Sequence, residues 1–521
     1  MTPESTVSED NGYEWHRVMD LDGLPEGRVT TVLAGHRTLA LTHHRGEYGA
    51  LDNRCPHQGG PLGEGSIENG VLRCPWHGYD YDPLTGKPPP PFDDAPSCFP
   101  VEIRDDGIWV GVPPEEPRQR TVADEMVETM VNHGITHVFG MVGHSNLGFA
   151  DAMREAEERG ELTYIGIRHE GAASFAASGF AKLTGRPAAC FAIAGPGSTN
   201  MLTGLYDAKV DRAPILALSG QVPSRVAGRG AFQDLDLGAA FNDVARYSAT
   251  VQAGSNGAEL TTIAIKTAIV ERGVGHLILP DEVQVQPSDA DAGEPDGRIA
   301  SRAIAPPVDE LERAVGMIAE AETPAIIVGH GSRFEMDPVL ALAERLNCPV
   351  LTSFKAKGAV SDHHRLGCGV LGRSGTPVAS YFMNEADLLV VFGASFSNHT
   401  GISDYKPIIQ VDDDPMQLGR FHSVTVPVLG NAAVTAEAML ASLPGSVASA
   451  DRSDLIADRW RIWRAEKERR VADDRGEGVS SAAVFAALTT ATPADAVMAV
   501  DVGNNAYSFG RYFECDRQAI L

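Results

Sequence analysis

Four side chains near the N-terminus could bind metal in a fixed pattern. Cys55 and His57 are separated by one residue in RCPHQGG (54–60), and Cys74 and His77 by two in RCPWHGYDYD (73–82). The spacing CxHx16CxxH lets two hairpin loops face each other. Two thiolates would then bind one iron of a sulfide-bridged pair and two imidazoles the other, giving a [2Fe-2S] cluster. Neutral imidazoles in place of thiolates raise the reduction potential, so such a centre accepts electrons readily. Gly59, Gly60 and Gly78 allow backbone N–H groups to approach the sulfides, and Pro56 and Pro75 stiffen the loops. A structural Cys2His2 zinc site, which needs only tetrahedral closure, is the competing reading. A mononuclear-iron oxygenase would need two more histidines and a carboxylate. No such spaced set stands out, and Asp362, His363 and His364 read as a solvated loop.

The elements that must hold these loops are short β-type runs. Between residues 14 and 112, VTTVLA, TLALTHH, GYDYDPLTG and CFPVEIRDDGIWVGV alternate with turns, which predicts a small all-β domain. PPEEPRQR (113–120) is a proline-rich linker, after which helix and strand alternate. TVADEMVETMVNHG predicts an amphipathic helix ended by Gly134, and HVFGMVG, TYIGIR, AACFAIAG and APILALSG are buried-strand runs. A parallel α/β domain over 119–290 follows. The alternation restarts over 306–445 with AIIVGHG, CPVLTSF, DLLVVFGA, IIQVDDDP and VTVPVLG, predicting a second doubly wound domain. An Arg/Glu-rich helix then leads to the start of a third, over 475–521. The predicted fold class is multidomain, an all-β unit followed by doubly wound parallel sheets, since 521 residues exceed one core.

A net charge of −27 repels nucleic acid and anionic lipid, so the acids read as the solvated surface of an enzyme. No apolar run approaches the roughly 20 residues of a membrane span. MTPESTVSEDNGYEW lacks the basic and apolar regions of an export signal, and the seven cysteines show no paired framework. A reducing, cytoplasmic location is the expectation.

CPHQGGPL together with CPWHGYDYDPLTG resembles the Rieske family across 14–112. Respiratory members join their two loops by a disulfide; the corresponding positions here are Gly60 and Trp76. The resemblance is therefore to the ferredoxin and oxygenase-type branch and implies a lower potential. The stretch IGIRHEGAASFAASGFAKLTGRPAACFAIAGPGSTNMLTGLYDAKVDRAPILALSGQVP (165–223) resembles the pyrimidine-binding domain of thiamine diphosphate enzymes of the pyruvate oxidase and acetolactate synthase group. That likeness runs over 119–445 and resumes near 478. It implies a carboxyl group at the pyrimidine ring, poorly solvated so that its proton affinity approaches that of the ring nitrogen. Glu170, after TYIGIR and at the head of a helix of small residues, takes this catalytic and cofactor-binding part by the likeness; on spacing alone the better reading is an acid favouring a helix N-terminus. By the same likeness Gly143 and Ser145 approach the pyrimidine, although Val142 stands where the family has proline. Pro196 and Asn200 border it, and Phe232 and the catalytic candidate Gln233 face the substrate pocket. His144 reads as a solvent-facing loop residue or an acid catalyst. The 306–445 domain resembles the one that holds FAD in pyruvate oxidases, with GHGSR (329–333), SFKAKG (353–358), GASFSN (393–398) and VDDDP (411–415) each following a strand.

The two resemblances together imply a thiamine-dependent oxidase. A 2-oxo acid such as pyruvate would be decarboxylated, and two electrons would pass through FAD, singly, to the iron-sulfur centre. An acetolactate synthase-like carboligase and a non-catalytic electron-transfer or regulatory subunit are the alternatives. The family anchors the diphosphate through Mg2+ on a GDG motif, which these residues do not contain; DVGNN (501–505) looks like an opening strand and turn. The expectation is that sequence beyond Leu521 or a second polypeptide completes the site, and that these 521 residues alone bind thiamine diphosphate weakly. Self-association is expected by resemblance.

Overall fold

The computed structural model describes every residue except 1–6, 11, 115–117, 398, 446, 448–449, 474–475, 477 and 517, and describes 7–10 by backbone alone. Two compact units result, Met1–Gln119 and Arg120–Leu521.

The first unit is all antiparallel β. One sheet runs in the order Val7–Asp10, Tyr13–Met19, Gly107–Val112, Val101–Arg104; a second in the order Arg28–Ala34, Arg37–His44, Glu47–Asp52, Cys98–Phe99. Leu39, Leu41, Ala50, Ile108, Val110 and Val112 fill the space between them. A third, three-stranded sheet of Ser66–Glu68, Val71–Arg73 and Asp80–Tyr81 carries the second Cys/His loop. Its first hairpin turns on Asn69 and Gly70, both at positive φ (52° and 84°), the two-residue turn whose twist matches paired strands. That turn sets the register in which Leu72 and Cys74 point into the core.

The second unit contains two six-stranded, wholly parallel sheets. Counting strands along the chain, the first sheet (His137–Gly140, Thr163–Gly166, Ala188–Ala192, Ile215–Gln221, Ala245–Thr250, Val274–Pro280) has the order 2-1-3-4-6-5. Its runs AACFA and VGHLILP are buried throughout because helices cover both faces. The chain enters this domain through a helix, Val122–Asn132, closed by a reciprocal capping box between Thr121 and Asp124. The second sheet (Pro324–Val328, Val350–Thr352, Gly367–Val370, Leu388–Phe392, Ile408–Asp412, Val426–Leu429) has the order 3-2-1-4-5-6, that of dinucleotide-binding folds. Beyond it lie the helix Ser453–Val471, the helix Ser481–Ala491 and a two-stranded parallel pair, Val497–Met498 with Ala519–Ile520. An all-β unit followed by doubly wound parallel sheets is the fold class the sequence predicts. Among the described residues no helix is long and apolar enough to cross a membrane.

Candidate redox and cofactor sites

The two Cys/His loops share one backbone frame. In each, the cysteine N–H donates to the carbonyl five residues on (Cys55 to Gly60, 2.9 Å; Cys74 to Tyr79, 2.8 Å). The glycine four residues on donates back to the cysteine carbonyl (Gly59, 2.7 Å; Gly78, 3.2 Å). Both glycines need positive φ (80° and 72°) to close this turn. The frame leaves the cysteines inside and the histidines outside. Cys55 and Cys74 are buried in one apolar cluster with Leu51, Leu62, Leu72 and Tyr81, while His57 and His77 are exposed. Burial raises the Cys74 thiol above its ordinary value. The backbone N–H groups of Trp76 and His77 favour its thiolate, and the neighbouring Cys55 thiol favours its protonated form. The two imidazoles meet edge to face with ring centroids 4.8 Å apart.

A buried thiol pair and an exposed imidazole pair fit a two-iron cluster with one sulfur-ligated and one nitrogen-ligated metal. Among the described residues no three His, Cys, Asp or Glu side chains gather as a single-ion site. Tyr81 adds a hydroxyl 3.1 Å from Cys55 Sγ, and burial, then the Cys55 contact, raise its phenol above the ordinary value, so it remains a donor. Spacing alone did not single out Tyr81, although Tyr79 and Tyr81 alternate and so point the same way.

The residues assigned to the pyrimidine converge at the carboxyl ends of the first two strands and the third in the first parallel sheet, where its order reverses. Glu170 opens the helix Glu170–Thr184 and is 8% exposed. Its carboxylate accepts from Asn200 Nδ2 at 3.0 Å. Gly197 lies against it: a Cβ there would be 3.1 Å from Glu170 Oε1 and 2.5 Å from Ile193, so the cradle exists only because residue 197 has no side chain. Gly143 likewise packs on Ile193, and Gly195, at φ 66°, packs on the backbone of Gln233. Glu170, Gly143, Pro196, Asn200 and Gln233 thus belong to one group of adjoining loops. Phe232 beside them is 88% exposed. Ser145 is placed differently: its buried hydroxyl accepts from Ala194 N at 2.8 Å, and its carbonyl accepts from Gln284 Nε2 at 2.9 Å. Its side chain ties two loops together. Gln284, which sequence reasoning passed over, braces the same loop by accepting from Phe149 N at 3.1 Å. His144 is exposed.

A cleft of about 530 Å3 opens at the switch point of the second parallel sheet, between the loops after its first and fourth strands. Gly331 and Arg333 of GHGSR, Lys355, Gly393, Ser395 and Ser397 of GASFSN, and Asp412 line it; Asn398 lies outside the described residues. The cleft gathers more cations than the sequence suggested, because Arg212, Arg272 and Arg302 come from before this domain. Arg272 and Arg302 both hold Asp413 (2.6 and 2.9 Å), Arg212 holds Asp414 and Lys355 holds Asp211. Arg333 and Arg420 have no carboxylate partner among the described residues; their guanidinium groups reach only carbonyl oxygens and lie over Phe334 and Phe421. Burial, then Arg272, lower Arg333 to about 10. Burial also pushes Asp412 up to about 6. Two guanidinium groups that make no ion pair among the described residues, at a dinucleotide-fold switch point, are chemically suited to phosphate.

Three family models match the chain: the Rieske [2Fe-2S] domain over 14–92, the thiamine pyrophosphate enzyme N-terminal TPP binding domain over 120–240, and the thiamine pyrophosphate enzyme central domain over 311–439. The chain belongs to the thiamine pyrophosphate enzyme family and carries a Rieske domain at its N-terminal end. The putative thiamine pyrophosphate-containing protein YdaP of Bacillus subtilis is 33% identical over 400 residues, covering 76% of this chain and 68% of that protein. A probable acetolactate synthase large subunit of Methanococcus aeolicus is 32% identical, covering 60% and 53%. The pyruvate oxidase of Lactiplantibacillus plantarum is 28% identical, covering 73% and 63%. The chain spans about half to two thirds of the length of these relatives.

Proposed function

We propose that the protein is part of a thiamine diphosphate-dependent oxidoreductase that decarboxylates a 2-oxo acid such as pyruvate and passes the electrons to its own Rieske cluster. The observation that carries this reading is the presence in one chain of the Glu170 cradle and of paired thiols beneath paired imidazoles. When bound, thiamine diphosphate supplies the carbon nucleophile and the [2Fe-2S] cluster a one-electron acceptor. Glu170 holds or releases a proton at the pyrimidine nitrogen. Asn200 orients its carboxylate, and near-complete burial keeps water from competing for that proton. Gly197 and Gly143 leave the space a flat ring needs, and Gln233 is held against the turn at Gly195. Cys55, Cys74, His57 and His77 hold the cluster.

Two electrons leave the substrate together, whereas the cluster takes one at a time, so a flavin between them would match the counts. The cleft of the second parallel sheet suits FAD: Arg333 and Arg420 would take the diphosphate and Asp412 the ribose hydroxyls. Mg2+ would accompany the thiamine diphosphate. Exposed Phe175 and Tyr206, on the helices Glu170–Thr184 and Leu202–Asp211, support self-association through that face.

Stopped-flow mixing of the complete, cofactor-loaded enzyme with pyruvate should bleach the oxidised cluster within a turnover. A cluster that stays oxidised while carbon dioxide is released refutes the electron transfer. The likeness to an acetolactate synthase subunit favours a second reading, carboligation, in which anaerobic turnover gives a longer-chain hydroxy-oxo acid and leaves the cluster untouched.

A further inference from the structure

No covalent link joins the two metal-binding loops, since all seven cysteines are free. Three aromatic side chains of the second loop and its following strand instead rest on the first. Trp76 covers Gly60, where a Cβ would come within 3.2 Å of the indole. Tyr79 stacks on His57 with ring centroids 4.2 Å apart and planes 17° from parallel. Tyr81 reaches the Cys55 sulfur.

The contact at His57 differs in kind from the others. A metal-bound histidine ordinarily has its ring plane fixed by a hydrogen bond from its second nitrogen to a carboxylate or carbonyl. Among the described residues the His57 ring has no such partner. It is stacked on the face of Tyr79, and it meets the His77 ring in a T-shaped contact with centroids 4.8 Å apart. Tyr79 is itself packed against the half-exposed ring of Phe92, 5.5 Å away.

We propose that Tyr79 is a positioning residue for the cluster: its ring, stacked across the gap between the loops, sets the plane of the His57 imidazole in place of a hydrogen-bonded anchor. This rests on the Rieske reading of the domain and concerns a residue outside the ligand set.

The test compares the full chain with its Tyr79→Phe and Tyr79→Leu variants, each reconstituted anaerobically with iron and sulfide. Three quantities are read: the electron paramagnetic resonance g values of the reduced cluster, its midpoint potential, and the rate at which an iron(II) chelator strips the metal. Tyr79→Phe keeps the stack and should match the wild type on all three. Tyr79→Leu should shift the g values and the potential and lose iron roughly fivefold faster, the scale of one aromatic pair. Wild-type behaviour in Tyr79→Leu overturns the assignment. So does a Tyr79→Phe variant that departs as far as Tyr79→Leu, which would make the hydroxyl the active group. A Tyr79→Leu chain that does not fold by circular dichroism also overturns it, by making Tyr79 an ordinary core residue. A wild-type chain with no [2Fe-2S] signal would instead overturn the cluster reading itself.

Discussion

Replacing Tyr81 by Phe removes one hydroxyl and almost nothing else. The ring of Tyr81 is 1% exposed and packs in the apolar cluster with Leu51, Leu62 and Leu72, so phenylalanine leaves no cavity. The lost contact is the 3.1 Å hydrogen bond to Cys55 Sγ. A bond to a neutral acceptor contributes about 1 kcal/mol and one to a charged acceptor about twice that. Reduction adds one negative charge to the cluster, and taking the bond to gain the whole of that difference sets the scale at about 1 kcal/mol. With a tenfold change in equilibrium equal to about 59 mV for one electron, Tyr81→Phe should lower the midpoint potential by about 40 mV. Redox titration of the reconstituted chain, followed by the reduced-cluster resonance, measures this directly. An unchanged or raised potential would refute the reasoning, because it would mean that the hydroxyl does not favour the reduced state.

Glu170→Gln keeps the shape and the Asn200 contact while removing the titratable carboxyl, and should cut decarboxylation by the complete enzyme by about 10²–10⁴; a loss below tenfold in single-turnover assays counts against its role. Stability should fall in acid through His276, whose ring lies buried on Phe241 between the hydroxyls of Ser219 and Ser248. Burial lowers it to about 3 from an ordinary 6.5. The depressed value means that the folded state resists a proton the unfolded chain accepts. Its contribution is therefore present in full above pH 6.5 and is lost by about 1.4 kcal/mol per pH unit as the pH falls towards 3. Urea unfolding of wild type and His276→Gln at pH 7 and pH 5 checks this: the variant should show the shallower acid decline.

The parts legible in the sequence were those written into neighbouring positions. Cys55, His57, Cys74 and His77 are tied to their loops by glycines and prolines within six residues, and the apolar runs that became the parallel strands carry their own punctuation. Glu170 could be pointed to by likeness, but its packing against Asn200 and Gly197 joins it to residues 30 and 27 positions further on, which no local pattern specifies. Ser145 was grouped with the pyrimidine loops from its place in FGMVGHSN, whereas its hydroxyl is engaged by the backbone of Ala194, and the linear chain gives no hint of that pairing.

The arginines of the cleft show the division most plainly. Arg333 and Arg420 sit in the second parallel domain, while Arg212, Arg272 and Arg302 precede it, and each alone reads as a solvated surface charge. Charge acts through space, so only the docking of the two sheets decides which guanidinium groups meet Asp413 and Asp414 and which are left without a carboxylate. The candidate ligand set at the Cys/His loops, the strand content and the fold class are read from the order of residues, because backbone preference and side-chain spacing act over a few positions. The stacking of Tyr79 on His57 and the sharing of Asp413 by two arginines came from the tertiary structure, because packing and electrostatics join whatever the fold brings near.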